Sequence, residues 1–194
     1  MVIMFTLLKC KKVPLWHLFV LSLILSPFQA LGAIEFEELR QLNLGTVAVV
    51  DNSSVSSVSV SRSGIVDAEG KILVVSSPTP GRYQVSGFPP NSRIELDAEV
   101  ATLTIGDTGA PEPLTLVVYD ANELQSNEFG EVILQLGAAM QTSGSGEGYD
   151  DAPYTGNVSL VFHWYEPQVG SFVSASKTAS IAARVQTNLI LEEV

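Results

Sequence analysis

Residues 154–165 read Tyr-Thr-Gly-Asn-Val-Ser-Leu-Val-Phe-His-Trp-Tyr, and they decide the fold class. Val158, Leu160, Phe162 and Trp164 fall on one face of an extended chain, and Ser159, His163 and Tyr165 on the other. That alternation describes a strand with one dry and one wet face, entered through a tight turn expected at Gly156. Phe162 and Trp164 mark the inward row as core, because rings of that size dominate burial.

Working outward, the period of two recurs in short runs at 42–50, 55–61, 71–75, 81–87, 92–105, 114–119 and 131–136. Between them lie Asp51-Asn52, Ser63-Gly64, Pro78 to Gly81, Pro89-Pro90-Asn91, residues 106–113 and a glycine-rich segment at 144–148. Each is a turn with a mechanism: glycine permits positive φ, proline fixes φ, and Asn or Asp bonds its own backbone. Val58, Val60, Tyr83, Val85, Ile94, Leu96, Leu114, Leu116, Val118, Val132, Leu134 and Leu136 should join Leu160 in the core. The expected fold is therefore all-β, a single immunoglobulin-like or pilin-like β-sandwich of eight to nine strands. In the extension 166–194, Ile181, Ala183, Val185, Thr187, Leu189 and Leu191 alternate and predict a further strand from about 176 onward. A helical stripe through Ala182, Val185 and Leu189 competes with it over a shorter run.

Residues 1–33 read as a secretory signal peptide, with Lys9, Lys11 and Lys12 at its start and Ala30-Leu31-Gly32-Ala33 as a small-residue exit. The apolar stretch 15–25 is short beside the ~20 residues of a membrane span, so cleavage near Ile34 is expected and no span after it. The sandwich domain then covers 34–165. Loss of three lysines would leave seven basic against 21 acidic residues, a charge of −14. Such an acidic surface argues against nucleic acid and anionic lipid as partners. Cys10 is the sole cysteine and lies inside the signal, which leaves no disulfide, thiol nucleophile or thiolate metal site in the exported part.

Catalytic chemistry has little to work with. A triad needs a histidine, and after the signal the chain has His163 alone, on the wet face with Ser159 four residues before it and pointing in parallel. Glu95, Asp97 and Glu99 alternate along one strand face, which reads as a solvated acidic stripe rather than a glycosidase pair. Glu147, Asp150 and Asp151 offer oxygen ligands for calcium but without the ordered spacing of a calcium loop. The segment 144–148 lacks the lysine and following helix of a phosphate cradle. Asn52-Ser53-Ser54 and Asn157-Val158-Ser159 match the glycosylation pattern and are assigned no function. No catalytic, cofactor or metal residue is therefore expected.

Three segments taken together carry a family resemblance: 42–49 (Leu-Asn-Leu-Gly-Thr-Val-Ala-Val), 80–87 (Pro-Gly-Arg-Tyr-Gln-Val-Ser-Gly), and 130–165 with Tyr154-Thr155-Gly156. In that order the chain resembles the bacterial family named domain of unknown function 4402. The resemblance implies an exported β-sandwich of the periplasm or cell surface of a Gram-negative bacterium, similar to fimbrial subunits, with other surface subunits as partners through strand pairing and no enzyme activity. Members often end where Tyr165 stands, whereas this chain continues to Val194. If that extension completes its own domain the protein is self-sufficient; if it reaches into a neighbour, the protein polymerises. The expected function is an exported structural or adhesive surface protein. The alternative is a secreted glycan- or calcium-binding module using the loops around Pro89-Pro90 and 144–151, with a hydrolase in third place.

Overall fold

β-Branched and apolar residues at alternate positions give these segments no helical stripe to bury, and among the described residues the ordered elements are all strands. The structure is a computed structural model that describes residues 33–105, 112–119 and 123–187. The expected signal 1–33, apart from Ala33, lies outside the described residues, as do Leu189 and Leu191. In the described part no helix is long and apolar enough to cross a membrane.

Among the described residues thirteen strands follow in order: β1 (Glu35–Arg40), β2 (Leu42–Val49), β3 (Ser57–Val60), β4 (Val66–Glu69), β5 (Ile72–Ser76), β6 (Gly81–Ser86), β7 (Arg93–Ala98), β8 (Ala101–Leu103), β9 (Leu114–Tyr119), β10 (Leu124–Gln125), β11 (Glu131–Gln141), β12 (Ala152–Glu166) and β13 (Ser171–Val185). One sheet runs β1-β6-β11-β3-β4, with β9 beside β11 and β8 beside β9; the other runs β10-β7-β12-β13-β2-β5. The chain is thus an all-β sandwich. Between the sheets pack Tyr83, Leu116 and Leu134 from the first and Ile94, Leu96, Leu160, Phe162 and Ile181 from the second, all essentially without exposed surface.

The sequence-predicted core residues are buried as expected, with Val118 half-buried at its margin. The strands exceed the expected eight to nine because β1, β4 and β10 are short, exposed or at an edge, where no apolar alternation is needed. The run 92–105 is two strands, not one. After β7 the chain leaves β12, with the Glu99 amide still donating to the Ser159 carbonyl at 3.1 Å, and β8 joins β9 in the opposite sheet. Val100, two-thirds exposed, marks the crossing.

Gly156 is not a turn. It sits inside β12, paired to Ile181, and its role is spatial: a Cβ there would stand 2.6 Å from the Thr102 carbonyl oxygen and 2.7 Å from Leu103 Cδ2. Glycine is required because β8 crosses the strand closely at this point. The last strand starts at Ser171, five residues earlier than expected, because it forms a continuous fifteen-residue hairpin ladder with β12. Ile181, Ala183 and Val185 face the core as the alternation predicts. β13 then pairs with β2 in parallel over Ile181–Val185, so it stands between β12 and β2 within its own sheet.

Candidate functional site

The alternation that sends Phe162 and Trp164 inward sends His163 and Tyr165 outward, onto the face shared by β7, β12 and β13. Register places Glu95 beside His163 and Phe172 beside Tyr165. At the end of that face a groove of about 420 Å³ is lined by Pro89, Pro90, Arg93, His163, Tyr165 and Phe172, among others.

Each wall has a local cause. Phe88 is buried and meets Phe162 at 5.9 Å and Trp164 edge-on at 5.3 Å, which pins the following Pro89-Pro90 shelf to the core. Asn91 takes a left-handed φ of 55° and its amide donates to the Asn127 carbonyl at 3.1 Å. Ser126 completes the tie, its hydroxyl donating to the Pro89 carbonyl at 2.7 Å and accepting from the Ser92 amide at 2.8 Å. Opposite, β12 turns into β13 through residues 167–170, where the Gly170 amide donates to the Glu166 carbonyl at 2.9 Å. That turn sets the Tyr165 and Phe172 rings 5.6 Å apart and nearly perpendicular. Of the charged lining residues, Arg93 lies 3.6 Å from Glu95 and 2.5 Å from Glu123 outside the groove, and His163 Nε2 lies 3.3 Å from Asp97, also outside it.

His163 therefore faces a carboxylate on β7, while the Ser159 hydroxyl is 3.1 Å from that of Ser176 on β13. The two residues are not brought together. The acidic stripe divides likewise: Glu95 and Asp97 are engaged by Arg93 and His163, and Glu99 is exposed where β7 ends.

The carboxylates of the 144–151 loop do not converge. Asp151 binds Arg184 at 3.1 Å, and among the described residues no group of three or more His, Cys, Asp or Glu could hold a metal ion. What organises this loop is Asn52. Its amide nitrogen donates to the Ser143 hydroxyl at 3.0 Å and the Glu147 carbonyl at 2.8 Å, and its side-chain oxygen accepts from the Gly144 amide at 3.0 Å. Nearby, Glu112 accepts a 2.5 Å bond from the Ser145 hydroxyl, which with Ser143 holds its carboxyl below the usual range. As a short glycosylation pattern, Asn52 gave no hint of this role.

Sequence reasoning placed His163 and Tyr165 on one wet face and singled out Pro89-Pro90 separately, but missed Phe172 and Arg93 as their companions. Pro167 and Gly170 were the available signal, since a proline and a glycine three apart punctuate a hairpin turn.

No protein-family model and no curated protein matches the chain. Among solved structures it is similar to the CooA pilin subunit of enterotoxigenic Escherichia coli, with a TM-score of 0.41, 9% identity and coverage of 79% of this chain and 98% of that one. It is also similar to AggA, the major subunit of aggregative adherence fimbriae type I from Escherichia coli, with a TM-score of 0.34, 9% identity and coverage of 79% and 95%. A third similarity is to CfaE, the adhesive subunit of CFA/I fimbria of enterotoxigenic Escherichia coli, with a TM-score of 0.36, 9% identity and coverage of 80% and 50%.

Proposed function

We propose that this chain is an exported structural or adhesive protein of the bacterial cell surface or periplasm, a fimbrial-type sandwich of the domain of unknown function 4402 kind that completes its own fold. The observation that carries the reading is the place of β13, hydrogen-bonded to β12 along its whole length and to β2 at its end. A subunit with its own closing strand needs no donated one. It would instead meet neighbours through an exposed edge, and β13 offers one: residues 171–180 pair with β12 but lie beyond the reach of β2. This stretch belongs to an acid-free run, 167–191, in a chain whose net charge is −11, so it is where acidic copies repel each other least.

Sedimentation of the protein beside a version ending at Gln168 tests the proposal. The longer chain should fold unaided and associate as its concentration rises, while the shorter one should fail to fold or precipitate. A shortened chain that stays soluble and equally stable would overturn it, as would a long chain that folds only when a second protein supplies a strand.

A further inference from the structure

β1 and β2 follow one another along the chain and part at Gln41 into different sheets: Leu42 onward lies beside β13, while Glu35–Arg40 borders β6. The β13–β2 ladder does not end cleanly at its first pair, Ile181 with Leu42. Its register would next place Ser180 beside Gln41, and the Gln41 side-chain amide does donate to the Ser180 hydroxyl at 3.3 Å. That hydroxyl in turn donates to Glu38 at 3.2 Å, so β1 already touches β13. Continued backward without a slip, the same register sets Glu38 beside Lys177, Phe36 beside Ala175 and Ile34 beside Val173. Registered neighbours share a face, so these pairs would point inward as Ile181 and Leu42 do. Val173 and Ala175 are half-buried against the core along just this stretch.

We infer that residues 34–40 exchange, within one chain, between β6 and the open edge of β13, pivoting at Gln41, and that on β13 they close the edge through which copies associate. β1 is lightly held where it is. Five of its six residues are exposed, its pairing with β6 is interrupted between Glu38 and Arg40, and it ends with Arg40 opposite Arg82, like charges across a ladder. On β13 the charges match instead, Glu38 meeting Lys177 in an edge free of acids. The move also needs no inversion of the strand. Phe36 lies beside Val85 and Glu38 beside Tyr83 on the buried side of β6, so the same residues face inward in both places. Against the move stand the Phe36–Tyr83 stack, 5.0 Å between ring centres, and Arg40, which the β13 register brings beside buried Ala179. Those costs make β6 the preferred place and β13 the minor one. One edge stays open either way, on β13 or on β6, and association by β13 is confined to the first arrangement.

The inference names a regulation of the β13 edge and rests on the proposed association for its use, though not for its geometry. The test places pairs of cysteines on outward-facing positions of the full-length protein carrying Cys10→Ser. Glu37→Cys with Gln84→Cys traps β1 on β6, where the two residues are partners. Glu37→Cys with Ser176→Cys, and separately Glu35→Cys with Ser174→Cys, trap it on β13. Neighbouring strands lie about 5 Å apart, within reach of a disulfide. Mild oxidation should close all three within single chains, the β13 traps more slowly, and the β13-closed protein should lose concentration-dependent sedimentation. Adding Arg82→Glu, which turns a like-charge pair into an opposite one, should slow the β13 traps about threefold or more. Failure of both β13 traps where the β6 trap closes, disulfides formed only between chains, or a rate unmoved by Arg82→Glu would overturn the exchange. Closed chains that associate as they did before oxidation would overturn the regulation. A wild type that never associates removes the association reading alone, because the traps report the place of β1 in a monomer.

Discussion

Val185 of β13 lies beside Val47 of β2 as its parallel-strand partner, and neither side chain retains exposed surface. The last described strand is thereby built into the core alongside one of the first, and its inward residues should behave as core residues do.

Ile181 is the sharpest place to measure this, since it is fully buried, faces Gly156 on β12 and pairs with Leu42 on β2. Ile181→Ala should cost about 2–5 kcal/mol, by lost transfer energy plus a cavity. Ser176→Ala, on the exposed face of the same strand, should stay within about 0.5 kcal/mol. Urea unfolding of the two variants compares them directly. Equal, small losses would mean that β13 is not part of the cooperative unit.

Most of the fold was legible because burial on one sheet face writes itself as alternation, and Val58, Tyr83, Leu134 and Phe162 all obey it. β1 was not, since its six residues are almost entirely exposed and carry no apolar face to read. Nor could the β13–β2 pairing be read: it is set by where strands meet in space, and nothing local to either strand encodes the neighbour. The groove was half-legible. Pro89-Pro90 announces a rigid loop, but that it faces Phe172 depends on the β12–β13 register, which the turn at 167–170 fixes.

Asn52 is buried, and its side chain bonds four groups in and beside the glycine-rich loop, on Ser143, Gly144, Ser145 and Glu147. Asn52→Ala leaves the Gly144 amide and the Glu147 carbonyl without that partner, at a cost of about 1–3 kcal/mol. The loop itself should loosen more than the sandwich does. Limited proteolysis should therefore cut the variant within 144–148 well before the wild type, at equal global unfolding midpoint or slightly below it. Unchanged resistance would show that the loop holds itself without the asparagine.

Two groups set opposite limits of pH stability. The Asp51 carboxyl is held at about 2 by Lys71, then by the Ser53 amide and hydroxyl, against an ordinary 3.8. A lowered pKa favours the folded state above pH 3.8, and that contribution fades as pH falls toward 2. It should be small, because the pair is solvent-exposed and screened by salt. Tyr83 is buried, and burial raises its hydroxyl to about 12 from 10. Its neutral form is therefore no liability below pH 10, and stability is lost as pH climbs from 10 toward 12. Melting temperature against pH should show Tyr83→Phe starting lower, because the Leu42 amide loses its acceptor, yet declining less steeply in alkali. Parallel alkaline curves would place the titration elsewhere.

Gly156 and Gly146 make a paired test of close approach against backbone freedom. At Gly156 the obstacle is backbone: a Cβ would lie 2.6 Å from the Thr102 carbonyl oxygen, and the Thr155 amide already donates to Thr104 at 2.9 Å, so β8 cannot retreat without breaking that bond. At Gly146 there is open space, and the difficulty is a φ of +89°, which an alanine adopts only under strain. Gly156→Ala should cost about 1–3 kcal/mol as an overpacked contact within the sheet and lower the global unfolding midpoint. Gly146→Ala should cost about 1 kcal/mol, and because the strain sits in a loop it should appear first as faster amide exchange around 143–148. Hydrogen exchange and urea midpoints on both variants distinguish the mechanisms. If Gly156→Ala were as mild and as local as Gly146→Ala, the crossing of β8 over β12 would be looser than the geometry requires.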